Sequence, residues 1–405
     1  MPTVRRLFAV ASLAAAATLV APARSPIAAQ GIPARYTDQD YWKFIVDVSE
    51  PGGYFRSDNF LSNETGYQMV IPELKRETKA GGVYLGVGPE QNFTYIVAMQ
   101  PKVAIIFDIR RQNMILHLMY KALMEMSPDR ADFLSRLFSR PRPPGLDTTS
   151  TPGTMFQAYE VAPRDPAAYR QNLAAIKDWL VNKHGLALGD SDMASLDYVF
   201  SAFYGGGPEI NYSYTPGGAG GGGSMGYGGG RGRGGMPSYA QLQSDWTDGA
   251  GHNLAYLATE ANYRWLKEFE TKNLLIPVVG NFAGPKAIRA VAQYLKDRGV
   301  TVTAFYLSNV EQYLFMQGDD WSNFYKNVLT LPVDSGSTFI RSNGGGGRGG
   351  GGCAGFASGG MGFIGRGGGG GMQGPNLLAS ILLQRNAFRE GRLTTYCDVL
   401  STSHY

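Results

Sequence analysis

The chain has 405 residues, 43% of them hydrophobic and 12% aromatic, and carries a formal net charge of +4. That length holds one large or two average domains, with apolar residues enough for a packed core. Much of the small charge excess sits on Arg in glycine-rich loops and at the N-terminus, so composition gives no case for nucleic acid as a partner.

Residues 1–30 read as an export signal. Arg5 and Arg6 form a basic start, and Leu7 to Val20 is an apolar, alanine-rich run too short to span a bilayer comfortably. Ala21-Pro22-Ala23 offers an A-x-A cleavage site and Ala28-Ala29-Gln30 a second. Arg5-Arg6-Leu7-Phe8 also partly resembles a twin-arginine signal, with Val4 where Ser or Thr is usual, so both the general secretory and the twin-arginine route stay open. No later stretch reaches about 18 consecutive apolar residues, so no membrane span is expected once the signal is removed. The expected location is periplasmic or secreted.

A helix is expected over Tyr36 to Ser49, capped by Thr37 or Asp38, with Tyr41, Phe44, Ile45 and Val48 as its apolar stripe. Pro51-Gly52-Gly53 ends it. The segment Asp58 to Glu64 is polar around Phe60 and Leu61. It reads either as a simple loop or as a lid over the glycine turn that follows.

That turn lies in the most informative stretch, Gly82 to Asn113. Val83-Tyr84-Leu85 reads as a strand running into Gly86-Val87-Gly88, where the backbone can approach a ligand closely because two residues lack a Cβ. Pro89 fits the first turn of a helix. Val103 to Phe107 is unbroken apolar sequence, as in a parallel strand buried on both faces. It ends at Asp108, about twenty residues past the turn, the spacing at which a nucleotide-type cofactor's ribose meets a carboxylate. Gly86, Gly88, Glu90 and Asp108 are therefore expected to bind a cofactor. The turn departs from G-x-G-x-x-G by carrying Gln91 at the third glycine position. A turn that only saves space, with Asp108 capping the next helix, is the alternative. As a carboxylate at a strand's end, Asp108 is expected to be dispensable for folding.

Helices are expected at 112–126, with His117 beside its apolar face, and at 129–139, 166–184 and 191–204. Residues 127–254 form a helical insertion. The glycine tracts 205–236 and 343–374 bury too little apolar surface to order themselves and read as disordered surface loops. Cys353 and Cys397 either pair or stay free. His117, His184, His252 and His404 show no ligand spacing, so no metal is indicated. A further α/β run follows: helix Ala255 to Lys272, strand Leu274 to Val279 with Asn281 and Gly284 at its carboxyl end, a helix opened by Pro285, strand Val300 to Leu307, then Ser308 and Asn309 before another helix. Residues 375–405 read as a C-terminal helix and tail. Ligands gather at strand C-termini in open α/β sheets, so Asn281, Ser308 and Asn309 join the expected site. The expected fold is α/β: a Rossmann-like open, mainly parallel sheet with helices on both faces, in one domain over 31–342, with the helical insertion and two glycine-rich loops.

This order of elements resembles the class I S-adenosylmethionine-dependent methyltransferase fold over roughly residues 58–126 and 255–342. The resemblance implies that Gly86 and Gly88 hold the methionine end of S-adenosylmethionine and Asp108 its ribose. Ser308-Asn309-Val310-Glu311-Gln312-Tyr313-Leu314 is similar to the S-N-x-x-x-Y-L stretch of some aminopropyl- and methyl-transferase relatives. The chain departs from the family in the missing glycine, in the length of Ile109 to Asn273 with no legible third strand, and in lacking an Asn-Pro-Pro-Tyr-like motif. S-adenosylmethionine is also a cytosolic metabolite, whereas this chain reads as exported. The mature chain is similar, too, to a set of exported bacterial proteins of unknown function. Two functions follow. One is a transferase-like protein binding a nucleoside cofactor, where proximity supplies most of the rate and no acid–base residue need be assigned. The other is a non-catalytic exported binding or envelope protein that keeps the fold. A hydrolase is disfavoured by the absence of a G-x-S-x-G elbow. The small-molecule ligand and the oligomeric state are not legible.

The export signal makes a direct prediction: the mature protein begins between residues 24 and 31. N-terminal sequencing of the native protein checks this, and an intact Met1 on cytosolic protein would contradict it.

Overall fold

The structure, a computed structural model, describes residues 31–217, 236–342 and 374–405. The signal segment and most of both glycine tracts lie outside the described residues. Among the described residues six strands form one sheet: β1 (Val83–Val87), β2 (Val103–Asp108), β3 (Leu275–Val279), β4 (Val302–Ser308), β5 (Thr338–Arg341) and β6 (Leu377–Ser380). Their order is β3-β2-β1-β4-β5-β6. The first five run parallel, and β6 is antiparallel to β5. The fold is thus α/β with an open, mostly parallel sheet.

Every residue of β1, β2 and β3 is buried. Successive side chains point to opposite faces of a strand, so helices must cover both faces here. Their unbroken apolar runs are the sequence's answer to that demand. Leu275–Val279 is the sheet's third strand, paired outside β2 through Ala104↔Leu275 to Asp108↔Val279. The crossover from β2 to β3 carries the helical insertion, and no strand of the sheet falls between them among the described residues.

The expected helices are found, with ends set by caps. Thr37 accepts from the Asp40 N–H and starts Asp38–Val48, whose Tyr41, Phe44, Ile45 and Val48 are buried. Thr259 accepts from the Asn262 N–H, so that helix runs Glu260–Thr271 rather than from Ala255. The helix expected at 166–184 is α-helical over Pro166–Asp178, and Trp179–Lys183 widens into a π turn. Two segments differ from expectation. Residues 205–217, assigned to the first glycine loop, are folded: the helix Asp190–Gly206 runs through Gly205, a 3-10 turn spans Gly207–Glu209, and Asn211 bridges to Ser238. The C-terminal segment supplies β6 as well as helices Ile381–Arg389 and Tyr396–Ser401. Cys397, on the last of these, is disulfide-bonded; the other cysteine of the chain, Cys353, lies outside the described residues.

Two buried ionic networks tie the helices to the sheet. Behind β2 and β3, Lys121 donates to Glu125 (2.7 Å) and to the Glu270 carbonyl (2.5 Å). Glu125 also binds His184 (2.6 Å) and Trp179 (2.6 Å), and His184 reaches Asp38 (2.8 Å). Burial alone would push the Glu125 carboxyl up, but these donors hold it down at about 2. At the head of β5, Arg341 pairs with Glu311 and gives a second N–H to the Gln384 side chain (2.6 Å); all three are buried. Arg341 thereby fastens the C-terminal helices to β5.

A buried ion pair is far more costly to halve than to remove. Arg341→Met alone should lower stability by about 3–5 kcal/mol, while Arg341→Met with Glu311→Leu should recover most of the loss. Urea denaturation of both variants reads this, and equal losses would show that the pair contributes packing alone.

Candidate functional site

Parallel β1 to β5 end on one edge, which therefore gathers Gly86, Gly88, Asp108, Asn281, Ser308 and Asn309. A strap, residues 49–66, lies across that edge and meets each strand head from β3 to β4. At β3, the Glu50 N–H donates to Val279 O (2.8 Å). The Glu50 carboxylate accepts from the Asn281, Lys286 and Ala287 N–H groups at 2.9, 2.7 and 2.9 Å. It thus caps the helix Ala287–Asp297, where an anion is welcome. Past β2, the Gly53 N–H donates to Ile109 O (2.7 Å), and a Cβ on Gly53 would run into the Ile109 side chain. Phe55 packs edge-on against Tyr313, with ring centroids 5.3 Å apart, on the helix after β4. Phe60 and Leu61 are buried. The segment 58–64 is therefore a cover over the glycine turn, the second of its two readings.

Beneath the strap, the glycine turn is shaped by Asn92. Its Nδ2 donates to the carbonyls of Val87 (2.9 Å), Gly88 (3.3 Å) and Pro89 (2.7 Å), and its Oδ1 accepts from Tyr84 (3.0 Å). A Cβ at Gly86 would collide with Asn92 Oδ1, so Gly86 makes room for this side chain. Gly88 has φ +74°, which favours glycine, and the direction of its missing Cβ is open. The Gly88 carbonyl also accepts from His117 Nε2 (2.8 Å) and Asn113 (3.2 Å). Burial lowers the His117 pKa to about 4, so the ring is neutral, with its proton on Nε2.

Asp108 is engaged by its own neighbour. Its carboxylate accepts from the Arg110 backbone N–H (2.8 Å), Nε (3.0 Å) and Nη2 (2.8 Å). Those bonds take three of about four acceptor positions. Arg110 in turn donates from Nη1 to the Ser57 carbonyl (2.7 Å) and to that of Asp58, tying β2 to the strap. The expectation that Asp108 is dispensable for folding is therefore corrected: its removal would leave a buried guanidinium without its counter-charge. A ribose diol would have to compete with a bidentate ion pair, so the residues present do not suit that half of a nucleoside.

Glu90 and Ser308 meet the strap from either side of β1. The Ser62 N–H approaches Glu90 Oε1 (3.4 Å), and Ser62 Oγ donates to the Gln91 side chain. Glu90 is buried, its Oε2 has no partner among the described residues, and burial pushes its pKa to about 8. Glu64, further along the strap, accepts from Gln91 Nε2 (2.9 Å), Tyr306 (2.9 Å), Ser308 Oγ (2.5 Å) and Asn376 Nδ2 (2.6 Å). Ser308 is held at φ +50°, an uncommon conformation for a residue with a Cβ. Asn309 precedes the helix Val310–Phe315 without a side-chain cap bond. Asn281 stands apart: its Oδ1 accepts from the Ala283 N–H (3.0 Å) at the head of β3. Three strand spacings, about 14 Å, separate that head from β4. The edge therefore brings Glu90 and Ser308 to the strap's Ser62 and Glu64, holds Gly88 against Asn92 and His117, and leaves Asn281 to the Glu50 cap.

A family model described as a domain of unknown function (DUF7790) matches residues 59–142 and 239–349. Those stretches hold β1 to β5 and the strap from Asn59 onward, and omit the middle of the insertion. No curated protein matches the chain.

Glu90 gives a pH-dependent prediction. Its folded pKa lies above its unfolded value, so the folded state binds the extra proton between about pH 4.5 and 8, and stability falls as pH rises through that window. Glu90→Gln removes the group that titrates. Relative to wild type, the variant should gain on the order of a few kcal/mol between pH 5 and pH 8. Denaturant titrations at the two pH values measure the gain, and an unchanged difference would refute the assignment.

Proposed function

We propose that this chain is an exported binding protein that keeps a methyltransferase-like crevice at the heads of β1, β2 and β4 without the methyl-transfer chemistry. The observation that supports this reading is the pairing of Asp108 with Arg110 (2.8 Å between Oδ2 and Nη2), which spends the carboxylate that the methyltransferase resemblance assigns to ribose. The strap adds to it, since Ser62 and Glu64 fill the ground between the glycine turn and β4. Fold alone does not carry activity, which lives in the site.

A transferase reading is favoured by Gly88, whose φ of +74° and open Cβ direction leave backbone for a ligand to approach. On that reading Gly86, Gly88 and Glu90 face the methionine end of S-adenosylmethionine, and Ser308 and Asn309 flank the acceptor. The chain's part would be to hold methyl donor and acceptor in line.

Titration calorimetry with S-adenosylmethionine and S-adenosylhomocysteine separates the two. We expect no saturable heat from either at millimolar concentration. Saturable binding that weakens at least tenfold in Asp108→Ala, with the variant's fold verified by circular dichroism, would establish the transferase crevice instead.

A further inference from the structure

Glu64 is the most heavily hydrogen-bonded carboxylate of the covered edge, and no cation pairs with it among the described residues. It is 1% exposed. All four of its donors are neutral: an amide from Gln91, an amide from Asn376, and the hydroxyls of Tyr306 and Ser308. None of them belongs to the strap. Gln91 opens the helix after β1, Tyr306 and Ser308 end β4, and Asn376 precedes β6. The cradle is thus built by the sheet side alone, and Glu64 is its guest.

The cradle's position gives that guest a meaning. The chain leaves β1 toward β2 on one side and β4 toward β5 on the other, so the heads of β1 and β4 flank the sheet's topological switch point. Open α/β sheets bind their ligands there. Burying a charge among neutral donors is also an expensive way to anchor a loop whose Phe60 and Leu61 already bury apolar surface. The strap has glycines on both sides of its Asp58–Glu64 segment: Gly52 and Gly53 at the β2 crossing, and Gly66 at its end, where a Cβ would strike the Gly374 carbonyl.

We propose that this cradle is a binding site for a small molecule bearing a carboxylate, and that such a ligand enters by displacing Glu64 and releasing the strap. Four converging neutral donors, with the nearest charge supplied by the guest, select a carboxylate over a phosphate, which favours cationic or bidentate partners. The inference rests on the reading of this edge as the ligand crevice. It does not depend on a nucleoside, because the cradle lies on the β4 side of β1 and Asp108 lies on the β2 side.

The test uses the mature full-length protein with Glu64→Ala, which vacates the cradle, and acetate as the probe. Acetate should bind this variant saturably and raise its melting temperature by about 1 °C or more over chloride at equal ionic strength. Acetamide, the neutral isostere, should not. Adding Ser308→Ala should weaken the acetate effect. An acetate shift no larger than the acetamide shift would overturn the proposal. Should Glu64→Ala fail to fold, hydrogen exchange on wild type decides: acetate should speed exchange of the amides of residues 57–66 and leave the sheet unchanged, and unchanged strap exchange would overturn the proposal. Failure of S-adenosylmethionine to bind leaves this result untouched, because acetate reads the donors of Gln91, Asn376, Tyr306 and Ser308, none of which is assigned to the cofactor's ribose or methionine end.

Discussion

Five parallel strands deliver their last carbonyls and the turns that follow to a single edge, and that edge cannot be left bare inside a packed protein. Each buried polar group there must find a partner. This chain meets the requirement with one peptide segment. Glu50 satisfies the head of β3 and the helix beyond it. Gly53 and the carbonyls of Ser57 and Asp58 serve β2, and Ser62 and Glu64 serve β1 and β4. The burial of Asp108, through Arg110, and of Glu90 depends on that cover.

The same requirement explains which residues are polar. Asn92 satisfies three successive carbonyls of a turn that no ladder reaches. Arg110 links the carboxylate at the end of β2 to two strap carbonyls. Glu90 Oε2, Asn113 Oδ1 and His117 Nδ1 are left unmatched among the described residues. Unmatched buried groups are costly, and they tend to concentrate where a protein does more than fold.

What the sequence revealed follows the strength of its periodicities. Unbroken apolar runs such as Val103 to Phe107 announce buried parallel strands, and the stripe of Tyr41, Phe44, Ile45 and Val48 announces a helix. The edge was legible too, because glycine turns and terminal polar residues mark strand heads. The strap was ambiguous, since a polar stretch around Phe60 and Leu61 has no period and reads equally well as a loop. The partners of Asp108 and Glu64 were out of reach. Arg110 is two residues from Asp108, yet nothing in D-I-R specifies that the guanidinium folds back. Glu64 meets groups from β4 and from beyond the second glycine tract, and such long-range pairing leaves no local trace. The lack of a legible third strand between Asp108 and Leu274 has a related reason: the long helical insertion separates β2 from Leu275–Val279, which comes third in the chain.

That insertion has a kinetic consequence. β2 must wait for the whole helical insertion to be made before β3 can pair with it, and β1 must wait longer for β4. The final strand, β6, closes the sheet from the last residues of the chain. Pairing partners this far apart fold slowly, because the loop entropy is lost before the contacts form. β1 and β2, about twenty residues apart, can pair early, but both outer edges of that pair stay open until β3 and β4 have been made. Strand edges held open for that long are places where two copies of the chain can pair wrongly before either sheet is complete.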